Sequence, residues 1–323
     1  MVHRRVGEVG FVDGMVKHRG RRDGEVLEQI AKLVDWAAIE AKIGPLYPSR
    51  TGEPAYPPVV MFRALLLQGW YGLSDPEMEN ALDDRLSFRR FAGLSLEDEV
   101  PDHSTIWRFR ERLAEARLDE SLLQEVTGQI ERAGFVVRRG TLIDASLVSS
   151  AARRPRMNEG KESKVDKDAR FGTGNETGKR FVFGYKMHIA ADAGSGLVRK
   201  ALLTPGNIQE IDMAASLVCG DERTVYADRG YDSARLHEHL ERHGIENGVM
   251  RRAGRNRPLT VDGVQRNHAI SLIRRSVEKV FGTFKRHYQL GRMRYFTMAR
   301  NRVRLLVIAM CYNLRRCRVI EAT

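Results

Sequence analysis

Arg274, Glu278 and Lys285 lie in a segment, Ser271 to His287, whose apolar residues recur at helical intervals. At 3.6 residues per turn the three charged side chains fall within one narrow sector. The apolar stripe Ile273, Val277, Val280 and Phe284 lies roughly a quarter-turn away and gives the helix a face to bury. An acid flanked by two bases suits a site where a metal ion and a phosphate are held together. Taken alone the pattern also fits an ordinary salt-bridged surface, so the case rests on other acids. Asp144 interrupts an otherwise apolar strand, Thr141 to Val148. Asp228 closes a second one, Val225 to Ala227, just before Arg229-Gly230-Tyr231-Asp232. Asp and Glu are depleted in strands and almost never fully buried unpaired. An acid at the carboxyl end of an apolar strand is a site candidate, because open sheets place their ligands there. Asp144, Asp228 and Glu278 arrive in the order strand, strand, helix, the order a carboxylate cluster for two Mg²⁺ ions needs. Hard cations take oxygen ligands and keep several waters, so three acids suffice when a phosphate supplies more. Arg274 would grip phosphate oxygens as a bidentate fork and Lys285 as a point charge.

The elements that must carry these residues fall into two groups. Residues 25–135 read as helices throughout. Val26 to Ile43 ends at Gly44-Pro45, and Val59 to Tyr71 opens behind Pro57-Pro58. Glu77 to Asp84 follows the capping box Ser74-Asp75-Pro76-Glu77, and Ser87 to Ala92 comes next. A longer helix starts at Asp102-His103-Ser104-Thr105 and reaches Ala116, and another runs from Asp119 to Ala133. Residues 1–24 are charged and glycine-rich, an arm expected to be poorly fixed. The helix after Ser104 sets Trp107, Arg108, Arg110 and Arg112 among Ile106, Phe109 and Leu113. That pattern fits a helix-turn-helix DNA reader as well as a solvated basic face.

From Val136 the period becomes that of strands, expected over 137–148, 181–191, 197–203, 223–227 and 245–250. Helices 208–219 and 231–243 alternate with the later strands, which makes a mixed α/β layer. Residues 151–180, rich in Arg, Lys, Gly and Asp, read as a long polar insertion loop that orders on DNA. A last helix, Arg300 to Arg316, brings Leu305, Leu306, Ile308, Ala309 and Tyr312 to pack back on the sheet. The other polar candidates have structural uses. Asp232, early in a helix, complements the dipole, and His188 is a satisfied sheet residue. Asn207 and Asp212 are caps, and Asp166 and Asp168 are loop acids outside any metal site.

Three groups of residues together resemble bacterial insertion-sequence transposases of the DDE class, most closely the insertion-sequence-five family. Phe183-Gly184-Tyr185-Lys186-Met187-His188 through Asp192 and Gly194-Ser195-Gly196-Leu197-Val198 is similar to that family's second and third strands. Ala227-Asp228-Arg229-Gly230-Tyr231-Asp232 is similar to its second catalytic acid and the glycine turn behind it. Arg274, Glu278 and Lys285 match its signature around the catalytic glutamate, with Ser271 where the family carries tyrosine. Asp166 to Phe171 resembles a further motif in which Lys167 and Phe171 replace proline and tryptophan. The resemblance runs from Val26 to Arg316. It implies an RNase H-like mixed sheet flanked by helices over residues 136–323, preceded by an N-terminal all-α helical DNA-binding domain.

The resemblance also implies a DNA transposase that binds the ends of its insertion sequence, cleaves the strands and joins them to target DNA by two-metal phosphoryl transfer. Asp144, Asp228 and Glu278 would be both catalytic residues and metal ligands. Asp144 would bridge two Mg²⁺ ions, for which Mn²⁺ substitutes, and the other two acids would each help hold one. Water would make the first cut, and the freed 3′-hydroxyl would attack the target. Arg274, Lys285, Lys186, Arg108 and Arg110 are the expected DNA contacts. The partners would be double-stranded DNA, both element ends and target, and a second copy of the chain in a homodimer or larger assembly. Two rival readings differ in outcome: a metal-dependent nuclease would cut without joining, and a DNA-binding regulator would do neither. The presence of all three acids argues against the regulator.

Composition agrees with a polyanionic partner. The 323 residues carry 54 Lys and Arg against 42 Asp and Glu, a net charge of +12. Neutralising phosphates releases counterions, so such an excess favours nucleic acid. Basic residues gather at Arg251-Arg252 with Arg255 and Arg257, at Arg274-Arg275, and from Lys285 to Arg294. The three cysteines have neither zinc-like spacing nor the density of a disulfide framework. No apolar run follows Met1-Val2-His3-Arg4-Arg5, and the longest apolar stretch, Leu305 to Tyr312, is too short to span a bilayer. A cytoplasmic location with no membrane partner is expected.

Overall fold

A computed structural model of the chain describes residues 3–8, 10, 13, 22–47, 54–136, 138–155, 162–174, 181–254 and 258–321. It divides into two units, Met1–Ile130 with Leu306–Thr323, and Glu131–Leu305. The first unit contains α1 (Arg22–Leu33), α2 (Trp36–Ile43), α3 (Pro58–Tyr71), α4 (Asp75–Asp84), α5 (Leu86–Ala92), α6 (His103–Ala116) and α7 (Leu118–Arg132), the last reaching the boundary. The helix expected over Val26 to Ile43 is two helices. Asp35 breaks it, because its carboxylate accepts the N–H groups of Ala37 and Ala38 and starts α2 afresh. Ser74 and Glu77 form the expected capping box of α4, and Asp102 caps α6 through the N–H of Thr105. Phe62, Leu66, Phe88 and Phe109 are fully buried between these helices. The described part of the amino-terminal arm makes contacts with the helical unit. His3 pairs with Ala55, and the Arg4 guanidinium bonds to Glu99 at 2.8 Å and lies over the Tyr56 ring. The remainder of that arm falls outside the described residues.

The second unit is built on a sheet of six strands: β1 (Thr141–Ser149), β2 (Arg170–Thr173), β3 (Phe181–Asp192), β4 (Val198–Pro205), β5 (Thr224–Ala227) and β6 (Glu246–Val249). Helix α8 (Glu210–Leu217) links β4 to β5, and α9 (Ala234–Arg242) links β5 to β6. Strand order is β2-β3-β1-β5-β6, with β4 also pairing β3. β3 runs antiparallel to both β1 and β4, while β1, β5 and β6 are parallel. An antiparallel meander continued by two parallel strands through helical crossovers is an RNase H-like sheet. Ile143, Ala190, Leu217, Val225, Tyr231, Leu240 and Val249 form part of its core.

The stretch 151–180 is not one loop. Residues 156–161 and 175–180 lie outside the described residues, but between them β2 joins the sheet and Phe171 packs on Phe183 with ring centroids 5.1 Å apart. Asp166 is fully buried and accepts from Ser150 Oγ and Tyr185 Oη, both at 2.5 Å. Helix α10 (Val261–Arg286) starts well before the expected Ser271, because Thr260 caps it through the N–H of Gly263. Its buried face is Ile270, Val277, Val280, Phe281 and Phe284, and Ile273 is 39% exposed rather than part of the stripe. Helix α11 (Met298–Glu321) begins in the second unit, where Asp168 accepts the N–H of Met298. Its expected packing on the sheet is corrected from Leu306 onward, where it belongs to the first unit. There Trp70 Nε1 donates to the Cys311 carbonyl at 2.9 Å. Gly69 makes the approach possible, since a Cβ there would sit 2.8 Å from Cys311 Sγ. Among the described residues no helix is long and apolar enough to cross a membrane.

Candidate active site

The register of the two central parallel strands sets the site. Ile143 of β1 pairs with Ala227 of β5, so Asp144 and Asp228 stand next to each other as β5 ends. Neighbouring strands lie about 4.8 Å apart, which brings the two carboxylates into one electrostatic field at the carboxyl end of the parallel strands. Side chains alternate along a strand, so Asp144 points away from Ile143, which belongs to the hydrophobic core. Burial is the main influence on Asp144 and pushes its pKa up to about 7. The Arg274 guanidinium and the Ala145 N–H act against that rise, while Asp228 and Glu210 add to it.

Behind Asp228 the chain turns sharply through Arg229–Tyr231. The Asp228 carboxylate accepts the N–H of Gly230 across this turn. A Cβ on Gly230 would lie 2.7 Å from Asp228 Oδ1 and 3.2 Å from Glu210 Oε2. Glycine therefore leaves open the space between those two carboxylates, which a methyl group would occupy. Arg252 secures the turn from outside through the carbonyls of Arg229 and Gly230, and its own N–H donates to Asp232. Asp232 is thereby engaged with Arg252 and, at 3.1 Å, with His237. Tyr231 is fully buried, yet among the described residues its hydroxyl has no hydrogen-bond partner. Burial raises its pKa well above the usual phenol value, followed by the charges of Asp144, Glu210 and Asp228.

Helix α10 packs on β1 and β5 and brings Arg274 to Asp144, Nη2 to Oδ2 at 2.9 Å. Arg274 Nε is buried without a hydrogen-bond partner among the described residues. Glu278 is exposed one turn farther along the same helix. Lys285 is half-buried in the last turn, where a cation complements the helix dipole. Among the described residues no three His, Cys, Asp or Glu side chains are set closely enough to hold a metal ion. Asp144 and Asp228 are adjacent, and the trio with Glu278 is not closed around one point. The donor chemistry nevertheless suits a divalent ion: carboxylate oxygens meet at a gap that a single Cβ would fill.

The model of the family described as transposase DDE domain matches residues 137–314, more than half of the chain and the whole of this site. The chain belongs to the DDE transposase family. A second model, described as transposase domain (DUF772), matches residues 16–112 of the helical unit, and the pair marks an insertion-sequence transposase. The transposase is also similar to a piggyBac transposase solved by cryo-EM in a synaptic complex with hairpin DNA. That likeness has 9% identity over 92% of this chain and 82% of the other, at a TM-score of 0.44, too distant to bear on the site. Enzymes of the DDE class cut and transfer DNA strands with divalent metal ions.

Beside the acids of the transposase opens a cavity of about 470 Å³, lined in part by Phe171, Lys186, Asn207, Glu210, Gly230 and Arg252. Lys186 is largely buried and bonds to the Ile208 carbonyl at 3.0 Å and to Glu210 at 3.4 Å. Asn207 lines the cavity, and the N-cap of α8 is Gln209 rather than Asn207. In the helical unit Arg108 is exposed and donates to Ser104 within its own helix at 2.6 Å. Arg110 has a different fate from the expected DNA contact. It is 2% exposed, and its guanidinium binds Asp75 and, at 3.1 Å, Gln68, so it ties α6 to α3 and α4. His188 is a buried sheet residue bonded to Thr204, with its pKa lowered to about 4 by burial first and the Lys186 charge second. Arg255 and Arg257 of the basic cluster lie outside the described residues. Glu210 and Tyr231 lie beside the acids without having been singled out by sequence reasoning, whereas Arg252 belongs to the basic cluster read there. The Gly-Tyr pair directly behind Asp228 was the available signal for Tyr231, and nothing in the sequence marked Glu210.

Proposed function

We propose that this transposase, of the insertion-sequence-five kind, binds the ends of its element, cuts the DNA there and joins the freed 3′ ends to target DNA. The observation that carries this reading is the Ile143–Ala227 pairing, which puts Asp144 and Asp228 side by side at the ends of parallel strands. Asp144, Asp228 and Glu278 would hold two divalent ions, Mg²⁺ or Mn²⁺. Bound there, the ions supply Lewis-acid activation of the attacking and departing oxygens of an in-line phosphoryl displacement. The chain itself orients the DNA. Arg274 Nε is a buried donor with no acceptor among the described residues, suited to an oxygen of a phosphodiester. Lys186 and Arg252 set positive charge along the cavity beside the acids, while Lys285 in the sheet unit and the exposed Arg108 in the helical unit would each meet phosphates of the duplex. The assembly on DNA is a homodimer or larger, holding two element ends.

The test uses labelled duplexes bearing the inverted repeats that flank the gene, a target plasmid, and Mg²⁺ or Mn²⁺. Wild type, Asp144→Asn and Glu278→Gln are compared for 3′-end cleavage and for joining. Metal-dependent cutting and joining that both variants lose is the expected result. Cutting without joining would identify a nuclease instead, and specific binding without chemistry in any protein would identify a regulator.

A further inference from the structure

Glu210 heads α8 and sits across the Gly230 gap from Asp228. Both carboxylates lie against the same point, 2.7 and 3.2 Å from where a Gly230 Cβ would be, so their oxygens are within about 6 Å of each other. Two like charges at such a distance repel in a partly buried site unless a cation stands between them. Lys186 meets Glu210 at 3.4 Å on its other oxygen, Oε1. Oε2 faces the gap. Tyr231, the residue after Gly230, supplies a second feature. The Tyr231 hydroxyl is fully buried, has no partner among the described residues, and lies in the field of Asp144, Glu210 and Asp228. A phenol donor of this kind needs an oxygen acceptor, such as a water carried by a bound ion. Mg²⁺ and Mn²⁺ are held by one or two carboxylates together with waters and phosphate oxygens. A pair of acids therefore suffices for one ion, even though no three ligands converge.

We infer that Glu210 is a fourth acid of the active site, sharing a divalent cation with Asp228 across the space that Gly230 keeps open, with Tyr231 donating to that ion's water. The inference rests on the proposed metal-dependent reading and adds one ligand to it. Lys186 is then the counter-charge of Glu210 when no ion is bound, and ion binding loosens that pair.

The experiment titrates Mn²⁺ alone into the full-length, DNA-free protein and reads bound ion by the loss of its free electron paramagnetic resonance signal. Glu210→Gln is expected to weaken Mn²⁺ binding tenfold or more. Gly230→Ala, whose Cβ would press on Asp228 Oδ1 at 2.7 Å and on Glu210 Oε2 at 3.2 Å, is expected to do the same. Lys186→Met is expected to leave affinity unchanged or tighter. Wild-type affinity in Glu210→Gln or Gly230→Ala would overturn the inference. So would an equal loss in Lys186→Met, because Glu210 would then act only by holding Lys186. Asp228→Asn separates this inference from its parent. If Asp228→Asn loses binding and Glu210→Gln does not, Glu210 alone is wrongly assigned. If both bind as wild type, the metal-dependent reading fails as well. Melting temperatures within a few degrees of wild type keep each comparison valid.

Discussion

The proton on Asp144 should be visible in stability. Its carboxyl is pushed from an ordinary 3.8 up to about 7, mainly by burial. In the interval between those values the folded chain keeps a proton that the unfolded chain has released. The folded state binds more protons there, so stability falls as pH rises through the interval and levels off above about 7. Carrying both pKa values through the linkage relation gives a loss of about 2.5 kcal/mol between pH 5 and pH 8 from this one group. Asp144→Asn cannot titrate and still offers Arg274 a carbonyl oxygen to replace the one it meets at 2.9 Å. The assay is chemical unfolding of wild type and variant at pH 5, 6, 7 and 8 with chelator present. The difference in unfolding free energy between the two should move by about 2.5 kcal/mol in favour of the variant as pH rises. Titrating groups that do not interact with Asp144 are common to both proteins and cancel. A difference constant across that range would refute the argument, because Asp144 would then be ionised throughout and its burial offset by Arg274. Added Mn²⁺ should reverse the trend in wild type, since an ion that binds only the folded, deprotonated site stabilises it.

Three further outcomes test other parts of the structure. Arg110→Met should cost about 3 kcal/mol in chemical unfolding, because it strands Asp75 in a site where its side chain is 19% exposed. The salt dependence of DNA binding by that variant should stay as in wild type, which would sink the alternative that Arg110 touches phosphate. Arg108→Ala should reduce the slope of log affinity against log salt by about one, with an unchanged melting temperature; an unchanged slope would remove Arg108 from the interface. Tyr185→Phe should destabilise the fold by about 1–3 kcal/mol by removing a buried donor to Asp166. A loss below the noise of the unfolding experiment would show that Ser150 alone satisfies that acid.

What could be read from the sequence was whatever depends on neighbours along the chain. Asp144 and Asp228 stood out because acids in apolar strands conflict with local preference, and such conflicts mark function. Arg274 and Glu278 were legible because helical periodicity alone puts them on one face. Capping at Ser74 and Asp102 was legible for the same local reason. The features that were missed depend on partners far away in sequence. Arg110 looked like any arginine on a basic helix, and only Asp75, brought close by the fold, decides that it is buried. Glu210 reads as a first-turn acid complementing a helix dipole, and its importance comes from a glycine on another strand's exit. Strand β2 hides in polar sequence, because its pairing is supplied by Phe181 to Gly184 rather than by its own composition. Asp35 was passed over because apolar periodicity continued on both sides of it, while its carboxylate starts a new helix.

The return of residues from Leu306 onward to the first unit has a consequence for biogenesis. That unit is discontinuous: its two parts are separated by about 175 residues that fold as something else. At 5–20 residues per second, a ribosome needs roughly 9–35 s to travel from one part to the other. Throughout that interval the nascent helices have no partner for Gly69 and Trp70, and their apolar surface is open to chaperones or to a neighbouring nascent chain. The RNase H-like sheet lies wholly within the intervening stretch and can mature first. The helical unit can therefore be completed only after its last helix is made, and a ribosome-stalled chain ending at Leu305 should show a protease-resistant sheet attached to protease-sensitive helices.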